Sequence, residues 1–337
     1  MPLITQSIKN LTRLTSLSTR VLANSPFRAT ALVQRPPTYT IPAFTILGAF
    51  GYFGGGNGGG LLDGIDKITF PADSKTTLSA VLTTARQSVA GMANADVAGY
   101  FGGGGDSVGT VSGIDKITFP ADTKTTLSAV LTSAREFAAG MANSSVAGYF
   151  GGGQSGFQSG IDKITFPADS KTTLSATLTT GRSQLGGMAD SGVAGYFAGG
   201  YSGSALSGID KITFPADSKT TLSPTLSTAR YGLAGMANSG VAGYFAGGQD
   251  PSNVSGIDKI TFPADTKTTL SATLTTARYY LAGMANSGVA GYFGGGGDGA
   301  NINGIDKITF PADSKTTLSA VLTNARINVS AMANCLI

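Results

Sequence analysis

Histidine and tryptophan are absent from the chain, and its one cysteine is Cys335. Without His the commonest general base and a common metal ligand are missing. One Cys leaves no thiolate metal site and no intrachain disulfide. No run of about 18 apolar residues occurs, so no helical membrane span is expected. Acidic residues are missing from positions 1–45, which carry Lys9, Arg13, Arg20, Arg28 and Arg35. The rest holds 18 basic residues against 19 acidic ones. A body so close to neutral offers no basic stripe for nucleic-acid phosphates.

Glycine, by contrast, is abundant at 49 residues, and it is periodic. The segment Ile-Asp-Lys-Ile-Thr-Phe-Pro begins at Ile65, Ile114, Ile161, Ile209, Ile257 and Ile305, at steps of 49, 47, 48, 48 and 48 residues. A fixed period of this size with four short strands per copy reads as a propeller blade. In the copy that starts after Arg278, strand A is Leu281–Ala285 and strand B Val289–Phe293. Strand C is Ile305–Phe310 and strand D Thr317–Leu322. Strand B is apolar on both faces, as expected of a sheet held between two others. Its adjacent Tyr292 and Phe293 face opposite ways.

Counting strands predicts closure. The chain enters at a strand B, Gly48–Phe53, and ends on a lone strand A, Ile327–Ala333. Pairing the two completes six blades and leaves no interior edge at the seam. The expected fold is therefore all-β, a six-bladed propeller over residues 46–337 with an arm over 1–45.

In the arm, Ile4, Ile8, Leu11, Leu14, Leu17 and Val21 recur at steps of three or four and form one helical stripe, stopped at Asn24-Ser25-Pro26. The stripe fits a docking helix on a larger assembly. An Arg- and Ser-rich targeting leader and an unstructured tail fit the same residues.

Three features make the repeat resemble the kelch family of propellers. They are the Gly pair after an apolar strand (Tyr292-Phe293-Gly294-Gly295), the Ile305-Asp306-Lys307-Ile308 strand after it, and Arg278 before strand A. The chain departs from that family's pattern in having no Trp in strand D. The resemblance implies four-stranded blades with strand A nearest the axis. Separately, Ile4-Thr5-Gln6-Ser7-Ile8-Lys9-Asn10-Leu11 looks like the start of tail nozzle proteins of short-tailed bacteriophages.

The copies differ from one another in two places. One is the B–C loop; the other is the residue pair after each Arg, as in Glu136-Phe137, Tyr231-Gly232 and Tyr279-Tyr280. Alternating strand direction puts both on one face of the ring. Loops on a rigid scaffold commonly carry recognition, and aromatics carry much of its energy. The expected binding residues are Arg86, Glu136, Phe137, Tyr201, Tyr231, Asp250, Tyr279 and Tyr280. The ring of Arg86, Arg135, Arg182, Arg230, Arg278 and Arg326 has two readings, an anion-binding mouth or bonding within the scaffold. The six Met from Met92 to Met332 read as core fill.

No cofactor or metal is expected, nor an enzyme. The Gly-rich stretches open no helix, so they are not phosphate loops. The expected role is a bacteriophage virion component in tail, fibre or head surface. Its partners would be other virion proteins through residues 1–45 and a host receptor or glycan on the variable face. A cytoplasmic kelch-type adaptor is the alternative, and a polysaccharide hydrolase or lyase a third class.

Overall fold

A computed structural model describes residues 49–334. The apolar stripe from Ile4 to Val21 and the single cysteine lie outside the described residues. The described chain forms six four-stranded antiparallel sheets, each ordered A-B-C-D from inside to outside. In blade 2 the strands are Ala90–Asn94, Ala98–Gly102, Ile114–Thr118 and Thr123–Thr126. Blade 1 takes its strand A from the far end of the chain: Ser330–Asn334 pairs antiparallel with Phe50–Gly54, Phe50 opposite Asn334 and Gly54 opposite Ser330. The six A strands touch one another in cyclic order, blade 6 against blade 1 included, so the ring is closed.

The core sits between blades. Tyr52 of blade 1 packs in one cluster with Phe101, Ile117 and Phe119 of blade 2. Its neighbour Phe53 packs on the other side with Met284, Tyr292 and Ile305 of blade 6. Burying such a side chain contributes about 1.5–3 kcal/mol. The Met of each strand A fills the space beside the next blade: a Cβ added at Gly99 would strike the Met332 sulfur and the Phe119 ring. That close approach explains a glycine in the middle of a fully buried strand.

Two polar clamps recur with the repeat. The Tyr52 hydroxyl donates to Asp122 Oδ1 at 2.8 Å and Lys67 Nζ donates to Asp122 Oδ2 at 2.7 Å, tying blade 1 to the C–D turn of blade 2. At the seam Tyr292 and Lys307 do the same to Asp73, so the series closes on itself. On the A–B side, Ser145 N donates to Asn94 Oδ1 and Gly192 N to Asn143 Oδ1, each reaching from one blade to its neighbour. The chain also enters the ring at Ala49 and leaves it at Asn334 on this A–B side.

Strand D differs from the expected Thr317–Leu322: it is Ser314–Thr317. The turn from Pro311 to Asp313 is tighter than expected, because Asp313 adopts φ 53° and pairing resumes at once with Thr309 opposite Ser314. The apolar residues after Thr317 belong to the D–A connector. Leu322 is buried there between blades 6 and 1.

Candidate functional site

The D–A connectors build the variable face. Each passes through an Arg whose guanidinium is buried: Arg86 is 3% exposed and donates to Asp115 Oδ2 at 2.9 Å and to the Phe101 carbonyl at 3.2 Å. The Thr83 amide and the Thr126 hydroxyl also donate to Asp115, both at 2.9 Å. Burial alone would raise this carboxyl, yet Thr83, Arg86 and Thr126 together hold it below the ordinary carboxylate value. All six Arg make the equivalent ion pair. Arg86 was expected on the binding face; its charge is instead spent inside the blade, and the scaffold reading of the Arg ring holds.

The residue after each Arg pairs with the B–C loop of the same blade. Gln87 N donates to the Gly105 carbonyl at 3.0 Å and Gly105 N to the Gln87 carbonyl at 2.9 Å. The same two-bond bridge joins Glu136 to Gln154, Ser183 to Tyr201, Tyr231 to Gln249, Tyr279 to Gly297 and Ile327 to Asn57. The two variable places thus form one surface.

The second residue after each Arg closes a ring of hydrogen bonds about the axis. Phe137 N donates to the Ser88 carbonyl, Gln184 N to Phe137, Gly232 N to Gln184, Tyr280 N to Gly232, Asn328 N to Tyr280 and Ser88 N to Asn328, at 2.7–3.0 Å. These six residues have φ between 54° and 66°. Only Gly232 adopts that conformation freely; a non-glycine residue there costs about 1–2 kcal/mol. Five of six copies nevertheless carry a side chain, two of them aromatic. Gly232 has its own reason, because the Tyr280 ring lies where a Cβ would stand.

The side chains from these rings meet at the mouth. Phe137 and Tyr280, on opposite blades 3 and 6, have ring centroids 5.4 Å apart. Tyr279 stands edge-on to Tyr280 at 4.8 Å. Tyr201 meets Tyr231 at 5.4 Å and Phe157 at 5.8 Å. Burial, with Tyr231, Tyr279 and Glu136 nearby, pushes the Tyr280 phenol up to about 12, so it remains a hydrogen-bond donor at neutral pH. Burial also raises the Glu136 carboxyl. Blades 1 and 2 supply amides instead: Asn57 and Asn328 both donate to Gln87 Oε1, at 3.1 and 3.3 Å.

Beneath the mouth lies a cavity of about 80 Å³ lined by residues of all six blades. Ser88 Oγ, Gln184 Oε1 and Asn328 Oδ1, on residues of its wall, are buried and have no hydrogen-bond partner. Leaving a buried polar atom unpaired costs about 1–3 kcal/mol.

Of the residues expected from sequence, Glu136, Phe137, Tyr201, Tyr231, Tyr279 and Tyr280 gather here. Asp250 sits in the B–C loop of blade 5, one residue beyond Gln249, and makes no ring contact. Phe157, Ser88, Gln184 and Asn328 lie in the two variable places but were not among the expected binding residues. Their signal was positional: three of them stand two residues after an Arg. Among the described residues no group of three His, Cys, Asp or Glu is placed to hold a metal. No protein-family model matches the chain, and no curated protein matches it.

Proposed function

We propose that the chain is a non-enzymatic component of a bacteriophage virion, in tail, fibre or head surface, whose aromatic mouth binds a host receptor, a glycan or a neighbouring protein. One observation carries the reading. The residues that differ between otherwise near-identical blades are the ones gathered at a single mouth, and they are rich in half-buried Tyr and Phe. Such side chains combine large contact area with a polar tip and dominate binding surfaces. The opposite, A–B side varies less: its turns keep an Asn or Asp at the first position and a Val at the fourth, as in Asn94 and Val97 or Asp190 and Val193. Residues 1–45 would hold other virion proteins. The resemblance of Ile4–Leu11 to phage tail nozzle proteins supports the same assignment.

The test is the purified particle. The protein should co-purify with it, and Tyr201→Ala, Tyr231→Ala and Tyr279→Ala combined should cut adsorption to host cells at least about tenfold with the thermal midpoint preserved. Absence from particles, or unchanged adsorption, removes the proposal.

A further inference from the structure

We infer that the mouth seats one cationic side-chain head, an ammonium or guanidinium presented by a basic segment of a partner protein, on its blade 1 and 2 side. This rests on the reading of the mouth as a binding face and names the partner's chemistry. Charge is the first observation. Every Lys and Arg among the described residues sits in an ion pair, and the B–C loops contain neither residue. Asp63, Asp106, Glu136, Asp250 and Asp298 make no ion pair among the described residues. All of them stand on the mouth side, in B–C loops or, for Glu136, directly after Arg135. The unbalanced charge of this face is thus of one sign, which draws a cation and turns away a phosphate or an acidic sugar.

Acidic loops alone would mark no site, since Asp106 already serves its own loop by accepting from the Val108 and Gly109 amides. The buried acceptors at the centre are independent of them. Ser88 is 6% exposed and Asn328 9% exposed, and Ser88 Oγ and Asn328 Oδ1 have no partner on the cavity wall. Asn328 Nδ2 is spent on Gln87 Oε1 at 3.3 Å, so the amide oxygen is the atom left to bond. Ser88 N donates to the Asn328 carbonyl at 2.9 Å. The two residues are therefore neighbours, on one side of the Phe137–Tyr280 contact that runs from blade 3 to blade 6. Glu136 reaches the same sector: its Oε2 lies 2.7 Å from the place a Cβ on Gly105 of blade 2 would take. It is a half-buried carboxylate whose burial disfavours its charge, and a cation beside it reverses that effect. An ammonium carries three N–H donors and no acceptor, which suits a hydroxyl, an amide oxygen and a carboxylate. Size agrees. The cavity of about 80 Å³ has room for about three waters, which admits the head of one side chain beside the ring contact and nothing larger. The Phe137 and Tyr280 rings on its flank attract a cation through their faces. On the far side, Asp250 and Asp298 each follow the residue bridged to Tyr231 or Tyr279, so the rest of a basic segment meets rings and carboxylates in turn.

The test is titration of the full chain with short capped peptides in which Lys or Arg alternates with Ala, beside Glu–Ala peptides of the same length, read by calorimetry and NMR. A Lys or Arg peptide should saturate one site and weaken as salt rises. Glu136→Gln, which keeps the side-chain size, and Ser88→Gly, which keeps the left-handed backbone, should each weaken it at least about tenfold. Asp96→Asn at an A–B turn should leave it unchanged, and no variant should melt below the parent. No saturable basic peptide, binding indifferent to both mouth variants, or equal binding of the Glu peptide overturns the inference, as does a site that potassium ion alone fills. The two readings fail separately. Adsorption that depends on Tyr201, Tyr231 and Tyr279 but not on Glu136 or salt sinks the cationic seat alone. Peptide binding by a protein missing from particles sinks the virion role alone.

Discussion

Asp122 holds two groups at once, the Tyr52 hydroxyl and the Lys67 ammonium, and both belong to the neighbouring blade. Asp122→Ala should therefore destabilise the ring by about 1–3 kcal/mol, since it strands two partly buried donors. The thermal midpoint measures it, and an unchanged midpoint would show the clamp to be idle. The buried carboxyls inside the blades act on pH. Asp66, Asp115, Asp162, Asp210 and Asp258 all lie below their ordinary value in the fold, burial being outweighed by Thr or Ser donors and the Arg. A depressed carboxyl stabilises fully above its unfolded value, near about 4, and that contribution fades as pH falls through the folded value. Asp96 and Glu136 shift the opposite way through burial, two groups against five. Thermal midpoints should thus fall steeply below about pH 4; a midpoint that holds at pH 3 contradicts the assignment. At this scale the sequence was half legible. It displayed a ring of Arg and a ring of Asp, but only the fold shows that Arg86 and Asp115 meet and that the Arg never reaches the surface.

Among the elements, strand B is the most constrained, because its two faces serve two neighbours. Gly99→Ala would drive a methyl into the Met332 sulfur and the Phe119 ring. The expected loss is about 1–3 kcal/mol for overpacking a filled core, read by chemical denaturation; a neutral result would mean that Met332 yields freely. Strand D is the element the sequence misplaced. The stretch from Thr317 to Leu322 was expected to be a strand, yet Leu318 and Leu322 pack a connector, because Asp313 at φ 53° ends the turn early. Strands A and B were legible to within a residue, since an apolar strand bounded by Asn and by Gly pairs leaves little choice of register. The mouth was legible as a face and not as a cavity. Its hydrogen-bond ring joins residues about one repeat apart, and the left-handed backbone it imposes on Phe137 and Tyr280 has no signature in residue type.

For the whole molecule, closure decides. Ser330–Asn334 supplies the innermost strand of blade 1 and touches the A strands of blades 2 and 6. Deleting residues 330–337 should abolish the cooperative transition rather than lower it slightly; a deletion that still melts in one sharp step would show that the seam carries little. Closure was the most legible feature of all, because a chain that begins on strand B and ends on strand A leaves one complement at each end. It also follows that no blade is privileged. A permutant that joins Asn334 to Ala49 through a short turn and opens at Ser191–Gly192 should fold with a midpoint near the parent's.

The joints between blades are made by the same Tyr, Lys and Asp in every copy, whereas the connector after each Arg differs. Each repeat is therefore a cassette with standard couplings and a private tip. Recombination between the near-identical gene segments could exchange tips without touching those couplings, subject to fits between tips such as that of Gly232 to the Tyr280 ring. The assembly keeps its hardware constant while its specificity is free to wander.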